Sequence, residues 1–136
     1  MQLKGYFTYQ RDLYSDRRCK IKTSSCKAKG RKLQQLVAKK ISELTGIPHG
    51  KDCLIESREM SQSGVDVKLI GEARDKFPFS IECKNCEKWT MPSFIDQAKS
   101  NVMPDTMWLL VMGKNRTKPV VCLDLDDFFE IMSNQH

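Results

Sequence analysis

The sequence predicts a single α/β domain in which helices pack against a mixed β-sheet. The chain has 136 residues, which is enough for one hydrophobic core of ordinary size. Apolar residues recur at helical spacing over residues 33–44, and short β-prone runs separated by turn residues follow them. The predicted order is one helix, three strands, a helix, two strands and a helix.

The first predicted element is a helix that follows Gly30 and ends near Gly46 and Pro48. Its apolar residues fall at the spacing i, i+3, i+4, i+8 and i+11, which places them on one side of a helix. They are Leu33, Leu36, Val37, Ile41 and Leu44.

Three short strands are expected next, over residues 53–57, 65–70 and 78–84, with a turn at residues 71–77. Pro78 suits the first position of the third strand because a proline there removes no interior ladder bond. Since both connections are short, we expect neighbouring strands to pair antiparallel.

The second half of the chain predicts a helix over residues 91–101 and then a strand over the apolar run 106–112. A run with so few polar residues is typical of a strand that is buried on both faces. A further strand over 119–123 and a helix over 124–132 complete the domain. The last helix opens with acidic residues, which suit a helix N-terminus.

Positive charge is concentrated near the N-terminus. Residues 1–40 contain twelve Lys and Arg against two Asp, which gives +10, so residues 41–136 carry −4 of the net charge of +6. This density suits the phosphate backbone of a nucleic acid, although a solvated arm without a ligand is the alternative. We expect residues 1–28 to form a basic arm and residues 29–136 to form the domain.

The cysteines do not predict a convincing metal or disulfide framework. One CxxC pair, Cys83 and Cys86, is present with only two histidines, whereas a zinc site needs a second close pair. No apolar run is long enough to span a membrane and no secretory signal is visible, so we expect a cytoplasmic protein with free thiols. The six cysteines are Cys19, Cys26, Cys53, Cys83, Cys86 and Cys122.

The most informative stretch is residues 80–86, which read SIECKNC. In a strand Glu82 and Lys84 share one face while Cys83 points to the other. Antiparallel pairing of the second and third strands would bring Asp66 close to this pair. Two carboxylates with a strand carbonyl suit Mg²⁺, and a nearby lysine can orient or deprotonate a water. An ordinary solvent-facing ladder of charges is the structural alternative.

Asp66, followed sixteen residues later by Glu82 and then by Lys84, resembles the Asp…Glu-x-Lys signature of the PD-(D/E)xK nucleases. These enzymes have a restriction-endonuclease-like fold whose core of helix, three strands, helix and strand is similar to the order predicted for residues 31–112. The chain most resembles the small archaeal and phage Holliday-junction resolvases. That resemblance includes a KGR segment and a Ser-Arg pair, which are here Lys29, Gly30, Arg31, Ser57 and Arg58.

The resemblance implies a Mg²⁺-dependent DNA endonuclease, with Mn²⁺ able to substitute, that acts on branched DNA in recombination as a homodimer. Asp66, Glu82 and the Cys83 carbonyl would bind the metal, Lys84 would be the catalytic amine, and Gln97 would contact the metal-bound water or a phosphate. The expected DNA contacts are Lys29, Arg31, Lys32, Ser57, Arg58 and Lys88.

The first helix departs from the resolvase pattern. Gln34 and Gln35 stand where resolvases have a metal-binding glutamate, and an amide carbonyl would bind a metal more weakly. A non-catalytic DNA-binding module that has kept the nuclease fold is therefore the alternative hypothesis. A thiol or zinc protein that uses Cys83 and Cys86 is a third.

Overall fold

The computed structural model describes residues 23–58 and 63–135, and these form one sheet with flanking helices. The observed order confirms the predicted α/β class and adds one short helix between the second and third strands. The elements are α1 (Thr23–Thr45), β1 (Ile55–Ser57), β2 (Val67–Leu69), α2 (Glu72–Lys76), β3 (Phe79–Asn85), α3 (Met91–Ser100), β4 (Met107–Gly113), β5 (Val120–Cys122) and α4 (Leu125–Ser133).

The five strands follow chain order across the sheet. β1 pairs with β2 and β2 with β3 in antiparallel fashion, as the short connections predict. β3 and β4 are parallel, and α3 provides the crossover that a parallel pair requires. β5 returns antiparallel to β4, so the sheet is mixed. Among the helices of the described ranges, none is long and apolar enough to cross a bilayer.

Two apolar layers lie on opposite faces of the sheet, because alternate residues of each strand point to opposite sides. Leu33, Val37 and Ile41 of α1 pack on one face, where Ile81 and Val111 belong to the same buried cluster. The other face is covered by α3, where Ala98 packs with Trp108, Leu110 and Met112. β4 is therefore buried on both faces, which confirms the interpretation of its apolar run.

The ends of α1 differ from the prediction. The helix begins at Thr23 and passes through Gly30, so it spans the predicted boundary between residues 28 and 29. Most of the predicted basic arm lies outside the described residues. At the other end Leu44 is exposed, because the chain turns at Gly46 and Ile47 enters the core instead.

The predicted turn over residues 71–77 is wrong, since α2 occupies most of it. Two interactions and one buried residue explain this short helix. Ala73 is fully buried, Glu72 forms an ion pair with Lys76 at 2.9 Å, and the Arg74 guanidinium donates to the Leu69 carbonyl at 3.1 Å. The helix therefore packs back onto the sheet rather than leaving it.

Candidate active site

Asp66 lies immediately before β2, opposite Glu82 of β3. Val67 pairs with Ile81 in the antiparallel register, so the residue before Val67 faces the residue after Ile81. The Asp66 N–H donates to the Ile81 carbonyl at 2.8 Å, and the Asp66 carbonyl accepts from the Arg58 N–H at 2.8 Å. The backbone of Asp66 is thus fixed on both sides, as the predicted hairpin required.

The Asp66 carboxylate completes the ladder between β2 and β3. Its Oδ2 accepts a hydrogen bond of 2.7 Å from the backbone N–H of Cys83. The pKa of Asp66 is raised to about 6, mainly by burial and to a smaller extent by the charge of Glu82, while the Cys83 hydrogen bond and the charge of Lys84 oppose the rise. The site therefore disfavours a second negative charge unless a cation is close by.

Glu82 is only 3% exposed, and both of its oxygens have partners. Oε1 lies 3.1 Å from Nζ of Lys84, and Oε2 accepts from Nδ2 of Asn101 at 3.3 Å. A buried carboxylate without such partners would carry a large desolvation cost. β3 and the end of α3 together hold this side chain in place.

Lys84 is held from three directions. Besides Glu82, its ammonium donates to Oε1 of Gln97 at 2.7 Å and lies 5.7 Å from the centroid of the Phe94 ring. Gln97 and Phe94 are both on α3, so the crossover helix sets the direction of the amine. The structure thus brings together four residues that the sequence predicted as a site: Asp66, Glu82, Lys84 and Gln97.

These residues line a cavity of about 460 Å³ that is also lined by Gln34 of α1. Gln34 is 3% exposed, and its Oε1 has no hydrogen-bond partner among the described residues. An unpartnered buried acceptor costs about 1–3 kcal/mol. Its presence in the same cavity as two carboxylates therefore indicates a place for a cation or for a donor that residues 23–58 and 63–135 do not provide.

The donor set fits a hard divalent cation. Within residues 23–58 and 63–135, no group of three or more His, Cys, Asp or Glu could hold a metal ion. Two carboxylates from Asp66 and Glu82 are nevertheless present, and the carbonyl oxygens of Gln34 and Cys83 lie on residues of the same cavity. Mg²⁺ accepts one or two carboxylates because it keeps several of its waters.

The thiol hypothesis has little structural support. The Cys83 side chain belongs to the core cluster beneath α1, as strand alternation predicts. Burial, together with the charges of Asp66 and Glu82, raises the pKa of the Cys83 thiol well above its ordinary value, which opposes thiolate formation. Cys86 is exposed, and the five cysteines within the described residues are all free.

The residues predicted to contact DNA fall in three places. Lys29 and Lys32 line a second cavity beside the first, whereas Arg31 is exposed on α1 and lines neither. Ser57 and Arg58 end β1, where the Arg58 guanidinium turns toward the Ser63 carbonyl. Lys88 is exposed after β3.

Sequence reasoning missed several polar residues around the site. Asn101 lies four positions after Gln97, and this helical spacing could have indicated that it faces Glu82. Asn85 lines both cavities, yet it follows Lys84 on the other strand face, so alternation alone excluded it. Lys114 and Arg116 are exposed residues of the turn between β4 and β5, and they line the second cavity.

The sheet order, with an Asp, a Glu and a Lys close together on it, is that of the PD-(D/E)xK nuclease superfamily, which has a restriction-endonuclease-like fold. The chain belongs to the family described as "Phage putative PDDEXK endonuclease", whose sequence model matches residues 25–136. No curated protein and no solved structure matched the chain. Membership of a nuclease family implies DNA as the substrate, and the PD-(D/E)xK nucleases generally use divalent metals.

Proposed function

We propose that the chain is a Mg²⁺-dependent DNA endonuclease whose site consists of Asp66, Glu82, Lys84 and Gln97. The observation that carries the proposal is the convergence of two carboxylates and an amine in one half-enclosed cavity. A surface ladder of charges, the structural alternative, would leave Glu82 exposed, and instead it is buried. Mn²⁺ is expected to substitute for Mg²⁺.

Asp66, Glu82 and the Cys83 carbonyl would hold the metal. When bound, the metal would polarise the scissile phosphate and lower the pKa of a coordinated water. Gln34 would add a neutral oxygen where related resolvases have a carboxylate. The Oε1 of Gln34 supports this role because it has no hydrogen-bond partner among the described residues and is therefore free to bind a metal. As a neutral ligand it would leave the site with one negative charge fewer.

Lys84 would position the attacking water and place positive charge beside the phosphate as negative charge develops on it. The hydrogen bond of 2.7 Å to Gln97 supports this role, because it limits the rotamers that the long amine can adopt. Gln97 would then be available to a phosphate or water on the side away from Lys84. The expected products carry 5′-phosphate and 3′-hydroxyl ends.

A homodimer acting on branched DNA in the cytoplasm of a prokaryotic or phage-infected cell is the finer form of this proposal. Two symmetric cuts require two active sites related by a two-fold axis. One side of α4 carries four exposed apolar residues at the spacing i, i+3, i+4 and i+7, which supports a dimer interface on this helix. They are Leu125, Phe128, Phe129 and Met132.

The decisive experiment offers four-way, flap, single-stranded and linear DNA to the purified protein, with Mg²⁺, with Mn²⁺ and with a chelator. We expect metal-dependent cuts, paired symmetrically about the centre of the four-way junction. Asp66→Ala, Glu82→Ala and Lys84→Ala should each abolish cleavage and leave DNA binding in place. Asp96→Ala is the matched control, because Asp96 is an exposed acid on α3 that does not line the cavity.

Two outcomes would contradict the proposal. Full cleavage by Asp66→Ala in Mg²⁺ would exclude the assigned site. Salt-sensitive binding to DNA, with no cleavage of any DNA form in either metal, would favour the non-catalytic module. The main argument for that alternative is that Gln34 stands where the resolvases have a glutamate.

A further inference from the structure

A second cavity, of about 270 Å³, lies between α1 and the turn that joins β4 to β5. Its polar lining comes from three parts of the chain that are distant in sequence. The residues are Lys29, Lys32, Asn85, Lys114, Asn115, Arg116 and Thr117. Four of these seven carry a positive charge, and no carboxylate belongs to the cavity wall.

The positive charge of this basic cavity is not neutralised within the described parts of the chain, where none of its four cations forms an ion pair with a carboxylate. The acid that reaches the turn is Glu87, whose Oε1 accepts from the backbone N–H of Asn115 at 2.8 Å. This carboxylate therefore fixes the turn and does not pair with a lining cation. Such a concentration of unpaired cations favours an anionic ligand.

The basic cavity is also built by specific contacts. Nζ of Lys29 donates to Oδ1 of Asn115 at 2.8 Å, and Nδ2 of Asn85 donates to the Lys29 carbonyl at 3.1 Å. Nζ of Lys114 lies 5.2 Å from the centroid of the Trp89 ring. These contacts hold two lysines in defined positions, which a set of freely solvated side chains would not show.

Arg116 adds an independent sign of function because its backbone has φ of +60°. A long side chain rarely adopts this left-handed conformation, which is strained and persists mainly at functional positions. Glycine or asparagine would fit the turn without strain. The turn thus keeps a strained arginine at the wall of the basic cavity.

The basic cavity adjoins the candidate active site. Asn85 lines both cavities and follows Lys84 directly in β3. In the parallel register Asn85 pairs with Gly113, so the turn that contains Lys114 and Arg116 leaves the sheet at the same end as Lys84. A polymer of phosphates that occupies the first cavity can therefore reach the second.

We propose that the basic cavity binds backbone phosphates of the DNA strand next to the bond that is cut. This inference rests on the proposed nuclease function and assigns Lys114, Arg116, Asn85 and Asn115 to substrate binding. Lysines and an arginine around a space of this size suit phosphate and sugar groups, which position DNA without reading its sequence. Binding at this place would be independent of base identity.

The test measures affinity for a DNA duplex in chelator over a range of salt concentrations, by fluorescence anisotropy. A plot of log K against log salt has a negative slope, and each phosphate contact that is lost should make this slope shallower by about 0.9. We expect the slope of the double variant Lys114→Ala with Arg116→Ala to be shallower than that of the wild type by about 1.8. The control, Lys51→Ala with Lys118→Ala, removes the same charge from exposed residues outside the cavity and should change the slope by less than about 0.5.

A second arm identifies the phosphate itself. Methylphosphonate groups, which are neutral, replace single phosphates around the mapped cut. One or two positions should weaken binding by the wild-type chain, and the same replacements should have no further effect in the Lys114→Ala, Arg116→Ala variant. Lys114→Gln with Arg116→Gln repeats the test with longer side chains if the alanine variant does not fold.

The outcomes separate the two proposals. Equal slopes for the cavity and control variants, or additive effects of methylphosphonate and mutation, would overturn the inference even if the wild type cleaves DNA. A second outcome is possible if the wild type cleaves nothing. If the cavity variant then shows a shallower slope than the wild type, and methylphosphonate and mutation are non-additive around a junction, the phosphate site is retained and the nuclease proposal is overturned.

Discussion

Replacing Asp66 by asparagine should stabilise the metal-free protein at neutral pH. The asparagine Oδ1 can still accept the hydrogen bond from the Cys83 N–H, which is 2.7 Å long in the native chain. The substitution therefore keeps the end of the sheet ladder and removes only the buried charge. Stability gained on loss of a functional group is typical of strained active sites.

The magnitude follows from the pKa of Asp66, which rises from 3.8 to about 6 on folding. The native state keeps a proton that the unfolded chain loses, so wild-type stability falls as the pH rises from 3.8 to about 6. About two pKa units correspond to ~3 kcal/mol, and solvent screening of this partly exposed group reduces the effect to about 1–2 kcal/mol. The expected rise in Tm at pH 7 is roughly 3–8 °C.

The assay is urea and thermal unfolding in EDTA between pH 4 and 7.5, taken as the difference between variant and wild type. Carboxylates that do not interact with Asp66 contribute equally to both proteins and cancel in this difference. Asp96→Asn, at an exposed acid outside the cavity, is the control and should shift stability by less than about 0.5 kcal/mol. A destabilised Asp66→Asn at pH 7, or a stability difference that does not change with pH, would refute the reasoning.

Three further predictions concern the metal, the turn and the interface. Gln34→Glu should tighten Mn²⁺ binding roughly tenfold in paramagnetic resonance titrations, because it adds a third carboxylate to the cavity. Gln35→Glu, on the exposed side of α1, is the control and should leave Mn²⁺ affinity unchanged. Equal Mn²⁺ affinities of the two variants would exclude Gln34 as a ligand. Arg116→Gly should raise the free energy of unfolding, measured by urea unfolding, by up to about 1 kcal/mol, because glycine adopts the positive φ without strain. The same variant should bind DNA more weakly. A lower free energy of unfolding would show that the turn is unstrained. Phe129→Asp should convert a dimer to a monomer in light scattering, with Glu130→Gln as the exposed control, and an unchanged mass would place any interface elsewhere.

The strand pattern of the sequence was enough to predict that Asp66, Glu82 and Lys84 lie close together. Alternation placed Glu82 and Lys84 on one face, and short connections placed Asp66 across from them, which the register of β2 and β3 bears out. What these patterns could not supply was the environment that α1 and α3 provide. The burial of Gln34 and the bond from Asn101 to Glu82 depend on how those helices pack.

The second cavity was beyond prediction for a related reason. Lys29 and Asn115 are 86 positions apart, and only the packing of α1 beside the β4–β5 turn brings them together. The same limit applies to Leu44, whose spacing predicts burial although the helix end leaves the core. Periodicity describes a single element, whereas cavities and helix ends depend on its neighbours.

The hydrogen bond from the Cys83 N–H to Asp66 ties the assembly of the candidate site to the pairing of β2 with β3. Asp66 and Glu82 are separated by sixteen positions and become neighbours only when β2 and β3 join. A nascent or partly unfolded chain therefore carries no assembled pair of carboxylates. The proposed nuclease would therefore have no assembled site until its sheet is complete.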